Sequence, residues 1–321
     1  MINFRFHLIS IVAIFLALTI GIVMGATVID QGIVDRLNGR ITAVSNRAEE
    51  RRRANEALAQ DVGRLNEVVG EAQPYTVEDR LAGVSIVVMA VRGIDPAVVE
   101  SQVETLSEAG AVAPAVVWLE ESWSLEGDRA GALAAALGQS SGGPAELQAA
   151  AWTALALRLG SGEESPADGL DASAAQPVDP LRALSEAGFL EIQSLGAEPI
   201  VPANFPGPAA RVVLLTGTGA PSGTGNLVRV GAEALDAAGV PTVVGEIYGG
   251  DDATRGALLE PIRNAAIAAT LVSTVDDVEV PEGRIAVVLA AADLGRAPPV
   301  VGHYGYGDGA QRALPVFPAR P

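Results

Sequence analysis

The sequence predicts an α/β protein in three parts: a transmembrane helix, a long coiled-coil helix and a Rossmann- or flavodoxin-like doubly wound, mostly parallel α/β domain. Three observations predict it. Residues 8–29 carry no charge. From Val34 onward, apolar residues recur at intervals that alternate between three and four. Beyond residue 80, short β-branched runs alternate with helical stretches closed by glycine. The implied organisation is a short tail over 1–7, a membrane span over 8–29, a stalk over 30–73, the α/β domain over 80–310 and a C-terminal tail over 311–321.

A hydrocarbon core takes ~20 apolar helical residues to cross. "LISIVAIFLALTIGIVMGATVI" (8–29) meets that length with only Ser10, Thr19 and Thr27 as polar interruptions. A signal-peptide apolar region runs ~7–15 residues to a small-x-small site, and Met24-Gly25-Ala26 places a bulky residue there. The span therefore reads as a retained anchor. Ala13, Ala17, Gly21 and Gly25 form a stripe of small residues on which a second helix can approach closely. A pore is disfavoured, because one apolar span supplies no polar lining. Arg36, Arg40 and Arg47 beyond the span argue for a cytoplasmic C-terminal side, whereas the short, weakly basic start resembles a secretory n-region. Charge alone leaves the orientation open.

The next segment carries Val34, Leu37, Ile41, Val44, Ala48, Asn55, Leu58, Val62, Leu65 and Val69 on one heptad seam, with Arg51 as a further polar member. With Val34 at position a, Asn55 also falls at a, where a single polar residue fixes register. Glu49, Glu50, Arg52, Arg53, Glu56, Asp61 and Arg64 occupy the outer faces. A parallel homodimeric coiled coil ~50 Å long is expected. Gly39, Gly63 and Gly70 weaken the helix locally, and Pro74 ends it.

In the globular part, "VSIVVMAV" (84–91) reads as a buried strand. Asp95-Pro96 caps a helix closed by Gly110, and 112–119 is the next strand. Helices follow over 125–137 and 145–159, then a polar Gly/Pro/Ser-rich loop over 160–177. "LRALSEAGFLEI" is a helix turning at Gly188 into a strand. Strands over 210–217 and 240–247 flank a helix at 226–238. A helix over 254–269 and a final strand, "RIAVVLAA" (284–291), complete the domain.

Composition narrows the chemistry. The net charge of −18 opposes nucleic acid, whose binding rests on neutralising phosphates. All 21 basic residues are Arg, and Cys is absent, which removes disulfides, thiolate metal sites and cysteine nucleophiles. The glycine loop Gly217-x-Gly219-x-x-x-Gly223-x-Gly225 follows a strand but fits neither the dinucleotide fingerprint nor a P-loop. The G-x-S-x-G spacing at Gly138–Gly142 follows a helical stretch, not the strand that a nucleophile elbow needs. Asp251-Asp252 and Asp276-Asp277 read as solvated turns or caps. "GHYGYGDGA" (302–310) offers His303 and Asp308 as candidate metal ligands, and one imidazole without a thiol makes a weak set. No catalytic or cofactor-binding residue is expected, and the protein reads as a non-enzyme.

The basic tail and apolar span ending in "GIVMG", the stalk, "STVDDVEVPEGRIAVVLAA" (273–291) and "GHYGYGDGA" together resemble the actinobacterial MctB family, the mycobacterial copper transport protein B family whose corynebacterial members are called SteB. The resemblance implies a cytoplasmic-membrane protein with its N-terminus inside and its α/β domain in the periplasm or cell-wall space. Its transport label implies copper, which enters on that ground alone. Its SteB side implies a membrane-anchored partner of SteA in cell division and control of cell-wall hydrolases. Scarce Cys, Met and His favour the second role, a homodimeric scaffold or regulator, over the first. A small-ligand-binding α/β domain using the Gly217–Gly225 loop is a further alternative.

Overall fold

The computed structural model describes residues 4–161, 179–196, 200, 205, 210–221, 223–249, 255–264 and 270–316, with the side chains of 26–34 outside that description. It divides into two compact units, Met1–Leu65 and Asn66–Pro321. The first is formed by the helix α1 (Phe4–Val77), which also supplies the opening turns of the second. Its start, Phe4–Gly25, has a mean hydropathy of 2.7 over its most apolar window and is long enough to cross a membrane. Leu37, Ile41, Val44, Leu58, Val62 and Leu65 are each more than half exposed, and Ala48 and Asn55 are exposed as well. The helical seam is thus present and exposed. Val34 falls among the side chains outside the description.

Pro74 does not end this helix, contrary to the sequence reading, since α1 continues to Val77. Proline forfeits one backbone bond to the carbonyl four residues earlier. Packing offsets that loss: Val77 and the following Leu81 are fully buried in the second unit, and Val69 packs beside them. Gln73 adds a hydrogen bond from Nε2 to Glu108 Oε2 (2.8 Å).

The second unit is built on a seven-stranded sheet in the order β3-β2-β1-β4-β5-β6-β7. The strands are β1 (Ile86–Val91), β2 (Ala115–Leu119), β3 (Leu190–Ser194), β4 (Arg211–Gly217), β5 (Thr242–Ile247), β6 (Val272–Val275) and β7 (His303–Tyr304). Only the β2–β3 pair is antiparallel. Every residue of β1, β2 and β5 is buried, as strands covered on both faces require.

Alternate residues feed two cores. Val87, Met89 and Val91 join one with α3 (Arg129–Ala136), α4 (Pro144–Ser161), α5 (Pro180–Glu186) and α6 (Thr224–Ala237). Ile86, Val88 and Ala90 join the other with α2 (Pro96–Glu108) and α8 (Pro281–Leu294). α2 begins as expected, with Asp95 accepting from the Ala97 N–H (2.9 Å).

Two sequence expectations need correction here. The run 284–291 is not a strand but the middle of α8. Residues 285–291 are all buried, so the apolar run shows neither helical nor strand periodicity, the ambiguity inherent in short buried segments. The signal for a helix is Pro281 at its first position with Glu282 beside it. The fifth parallel strand is instead β6, whose Ser273 and Thr274 are polar yet fully buried.

Of the helix expected over 254–269, the described residues show only α7 (Glu260–Arg263) preceded by turns. The polar loop over 162–177 and Asp251-Asp252 lie outside the described residues.

Burial sets a stability contrast. Leu81→Ala is expected to lower the unfolding free energy by about 2–5 kcal/mol, whereas Leu157→Ala, at 61% exposure on α4, changes it by about 0.5 kcal/mol or less. Urea denaturation of both variants checks this.

Candidate functional site

Parallel strands deliver their loops to one edge of the sheet, and the carboxyl ends of β5, β6 and β7 bring four acids together there. Glu246 is the fifth residue of β5. Asp276 and Asp277 follow β6 directly, and Glu279 lies two residues further on. Asp276 is completely buried, and Glu246 and Asp277 are nearly so. The expectation that Asp276-Asp277 forms a solvated turn is therefore overturned.

Asp276 is held from three sides. It accepts from the Tyr306 N–H (2.7 Å), the Gly307 N–H (3.0 Å) and Arg263 Nη2 (2.9 Å). Arg263, itself fully buried, also donates from Nε to Thr274 Oγ1 (2.9 Å), from Nη1 to the Asp308 carbonyl (3.0 Å) and from Nη2 to the Tyr304 carbonyl (2.9 Å). One guanidinium thus ties α7, β6 and the glycine-rich loop after β7. The glycines of "GHYGYGDGA" follow from this. Gly305 has φ +115°, and a Cβ there would collide with the Asp276 carboxylate. Gly283, in the first turn of α8, abuts the Asp277 carbonyl in the same way.

Electrostatics separate the acids. Burial pushes the Asp276 carboxyl up, but hydrogen bonds from Asp277, Tyr306, Gly307 and Arg263 outweigh it and hold the group below its usual range. Burial and then the neighbouring Asp276 push Asp277 up to about 8. Arg255 Nε, 3.3 Å from Asp277 Oδ1, does not reverse this, and its guanidinium also lies 4.7 Å over the Tyr248 ring. Burial and the Asp276 charge raise Glu246 to about 7. Burial also raises Glu279, which accepts from the Tyr248 N–H (2.8 Å). At neutral pH the Asp276–Asp277 pair is one ionised carboxylate beside a protonated one, with the buried Arg263 as counter-ion.

His303 of β7 and Asp308 of the loop after it do not form a metal centre together. His303 Nδ1 lies 3.0 Å from Thr274 Oγ1, and burial followed by the Arg263 charge lowers its pKa. A cation would meet the Arg263 guanidinium. Among the described residues, no group of three or more His, Cys, Asp or Glu is placed to hold a metal ion. Sequence reasoning missed Glu246, Arg263 and the role of Asp276. A usable signal was a double aspartate ending an apolar segment and followed by Pro-Glu-Gly. The Gly217–Gly225 loop runs from the end of β4, through Gly223 at φ +87°, into α6.

An N-terminal helix long and apolar enough to span a membrane, joined to a doubly wound α/β domain with an acid cluster at its carboxyl edge, defines an α/β protein with a candidate membrane-spanning segment. The sequence model described as "Copper transport outer membrane protein, MctB" matches residues 1–315, and the chain belongs to that family. It is 28% identical to the proteins named "Copper transporter MctB" of Mycobacterium bovis and Mycobacterium tuberculosis, over 97% of this chain and 98% of theirs.

The raised acids set a pH dependence. Asp277 in the unfolded chain titrates near ~3.9, so between there and about 8 the folded protein holds a proton that the unfolded chain has released. Stability therefore falls as pH rises through that window. Glu246 and Glu279 act in the same direction, while the lowered His303 opposes them only below ~6.5. Between about pH 7 and 8 the Asp277 contribution stands clear of His303. Urea denaturation is expected to show stability falling over that interval, with Asp277→Asn flattening the slope.

Proposed function

We propose that this protein acts in copper transport at the cell envelope. In this reading it is a non-enzymatic single-pass protein with its N-terminus inside and its α/β domain in the periplasm or cell-wall space. The match to a copper-transport family along nearly the whole chain carries the proposal, and relatives bearing the copper transporter name over the same length support it. The sequence reading ranked this role second, and these names favour it over the scaffold. The sheet is open, with β3 and β7 at its edges, so the domain acts in water rather than as a membrane barrel. Copper is cargo here, handled with a second copy or a partner. In a deletion strain grown with added copper salt, cell-associated copper measured by mass spectrometry is expected to rise and to return on complementation with the full chain. Unchanged copper rejects the proposal.

The exposed heptad seam favours a second reading. A homodimer joined along Leu37–Leu65, with the small-residue stripe Ala13, Ala17, Gly21 and Gly25 against its mate, forms a scaffold for cell-wall and division proteins. Its partner is a SteA-like protein, its target the cell-wall hydrolase system. Six large apolar side chains standing in water would be covered by a second copy. Sedimentation of the full chain in detergent micelles is expected to give a dimer at tens of micromolar. Leu58→Lys with Val62→Lys is expected to give a monomer, through charge placed in the seam. A wild-type monomer would sink this reading.

A further inference from the structure

At the carboxyl end of the sheet, β1 and β4 are neighbours from which the chain departs in opposite directions, toward β2 and β3 on one side and β5 to β7 on the other. Open α/β sheets leave a crevice at such a switch point, and ligands bind there. A cavity of about 410 Å³ lies at this place, within the ~300–1,000 Å³ typical of small-molecule sites. Val91 ends β1 in its floor, and Glu120 and Glu121 follow β2 into its wall. Glu126, Ser124, Gln148 of α4, and Thr224 and Asn226 of α6 add to its polar lining.

The wall is pre-formed. Trp123, which also lines the cavity, donates from Nε1 to the Phe189 carbonyl (2.8 Å), and its own carbonyl accepts from Gln148 Nε2 (2.7 Å). Its ring packs 5.5 Å from that of Trp152. A site held this way loses little conformational entropy when a ligand enters.

Charge decides what kind of ligand. Glu120 is paired with Arg92, which also reaches Glu191. Glu121 and Glu126 are exposed and have no ion-pair partner among the described residues. No arginine lines the cavity. The N-termini of α4 and α6 each bring roughly half a positive charge, and Glu146 already answers that of α4 by accepting from the Gly143 N–H (3.1 Å). Two full negative charges outweigh what remains. A phosphate on the Gly217–Gly225 loop is therefore disfavoured, although that loop supplies Gly223 to the wall. These carboxylates form no group able to hold a metal ion, so the field suits a diffuse organic cation. Asn226 Oδ1 is taken by Arg229 Nη2 (2.9 Å), which leaves its amide as a donor to a hydroxyl.

We propose that this cavity binds a small organic ammonium ligand, with Glu121 and Glu126 as its counter-charges. The proposal is independent of copper handling. Calorimetric titration of the full chain in detergent micelles tests it, with glucosamine and putrescine as probes and with glucose and glucose 6-phosphate as neutral and anionic counterparts. Saturable binding of at least one amine is expected, with glucose binding about tenfold or more weaker than glucosamine. The double variant Glu121→Gln, Glu126→Gln is expected to lose about tenfold in amine affinity at an unchanged unfolding midpoint. Both side chains are exposed, so that variant is expected to fold, and its thermal midpoint checks it. Absence of saturable heat with both amines, equal affinity in the double variant, or tighter binding of glucose 6-phosphate overturns the proposal.

Discussion

A parallel sheet with two apolar faces must be covered twice, and the arrangement of this domain follows from that constraint. The strands β1, β2 and β5 are buried from end to end, so they leave no face for water. Helices α3 to α6 close one side. On the other, α2 and α8 need help from Val69 and Val77 of α1. The last turns of the long helix thus belong to the domain, and its helical geometry survives Pro74. Double coverage also explains α8, which touches apolar neighbours on nearly every side and carries no polar face. Glu246, Asp276, Asp277 and Glu279 gather at the carboxyl ends of the strands, where the loops emerge.

At that edge a fully buried Asp276–Arg263 pair is held in the protein interior. Desolvating two charges costs several kcal/mol each even after relaxation, and a single ion-pair contact would not offset it. Here every side of the pair is bonded: two backbone N–H groups reach the carboxylate, and two carbonyls and a threonine hydroxyl reach the guanidinium. Asp277 avoids the same cost differently, by keeping its proton up to about pH 8. The arrangement suits a clamp that fixes the loop after β7 more than a reacting centre. Family-like motifs in the sequence, the double aspartate and the glycine loop, are the two halves of that clamp.

The copper-transport family places the chain among proteins whose name specifies cargo, while its own soft ligands are few. His303, the only histidine in the second unit, has Nδ1 beside Thr274 and a guanidinium nearby. Under the copper-transport proposal the remaining ligands come from a second copy or a partner, and the proposed homodimer seats that copy on the exposed seam along α1.

Much of this was legible in the sequence. An uncharged stretch of membrane length, a seam with alternating three- and four-residue steps, and β-branched runs bounded by glycine are local signals, because each depends on the periodicity of a single element. They determined the apolar N-terminal helix, the long helix after it and the α/β class. Three things depended on tertiary structure. An all-apolar segment has no preferred face, so only its neighbours made 284–291 a helix. A strand as polar as Val272–Val275 is recognisable only once Arg263, His303 and Gly302 have satisfied its hydroxyls. Whether two adjacent aspartates face water or lie beneath a loop depends on residues thirty positions away. The sequence by itself determined the elements that carry their own short-range pattern; only the tertiary structure decided the segments without one and which charges are buried, because both depend on what packs against them.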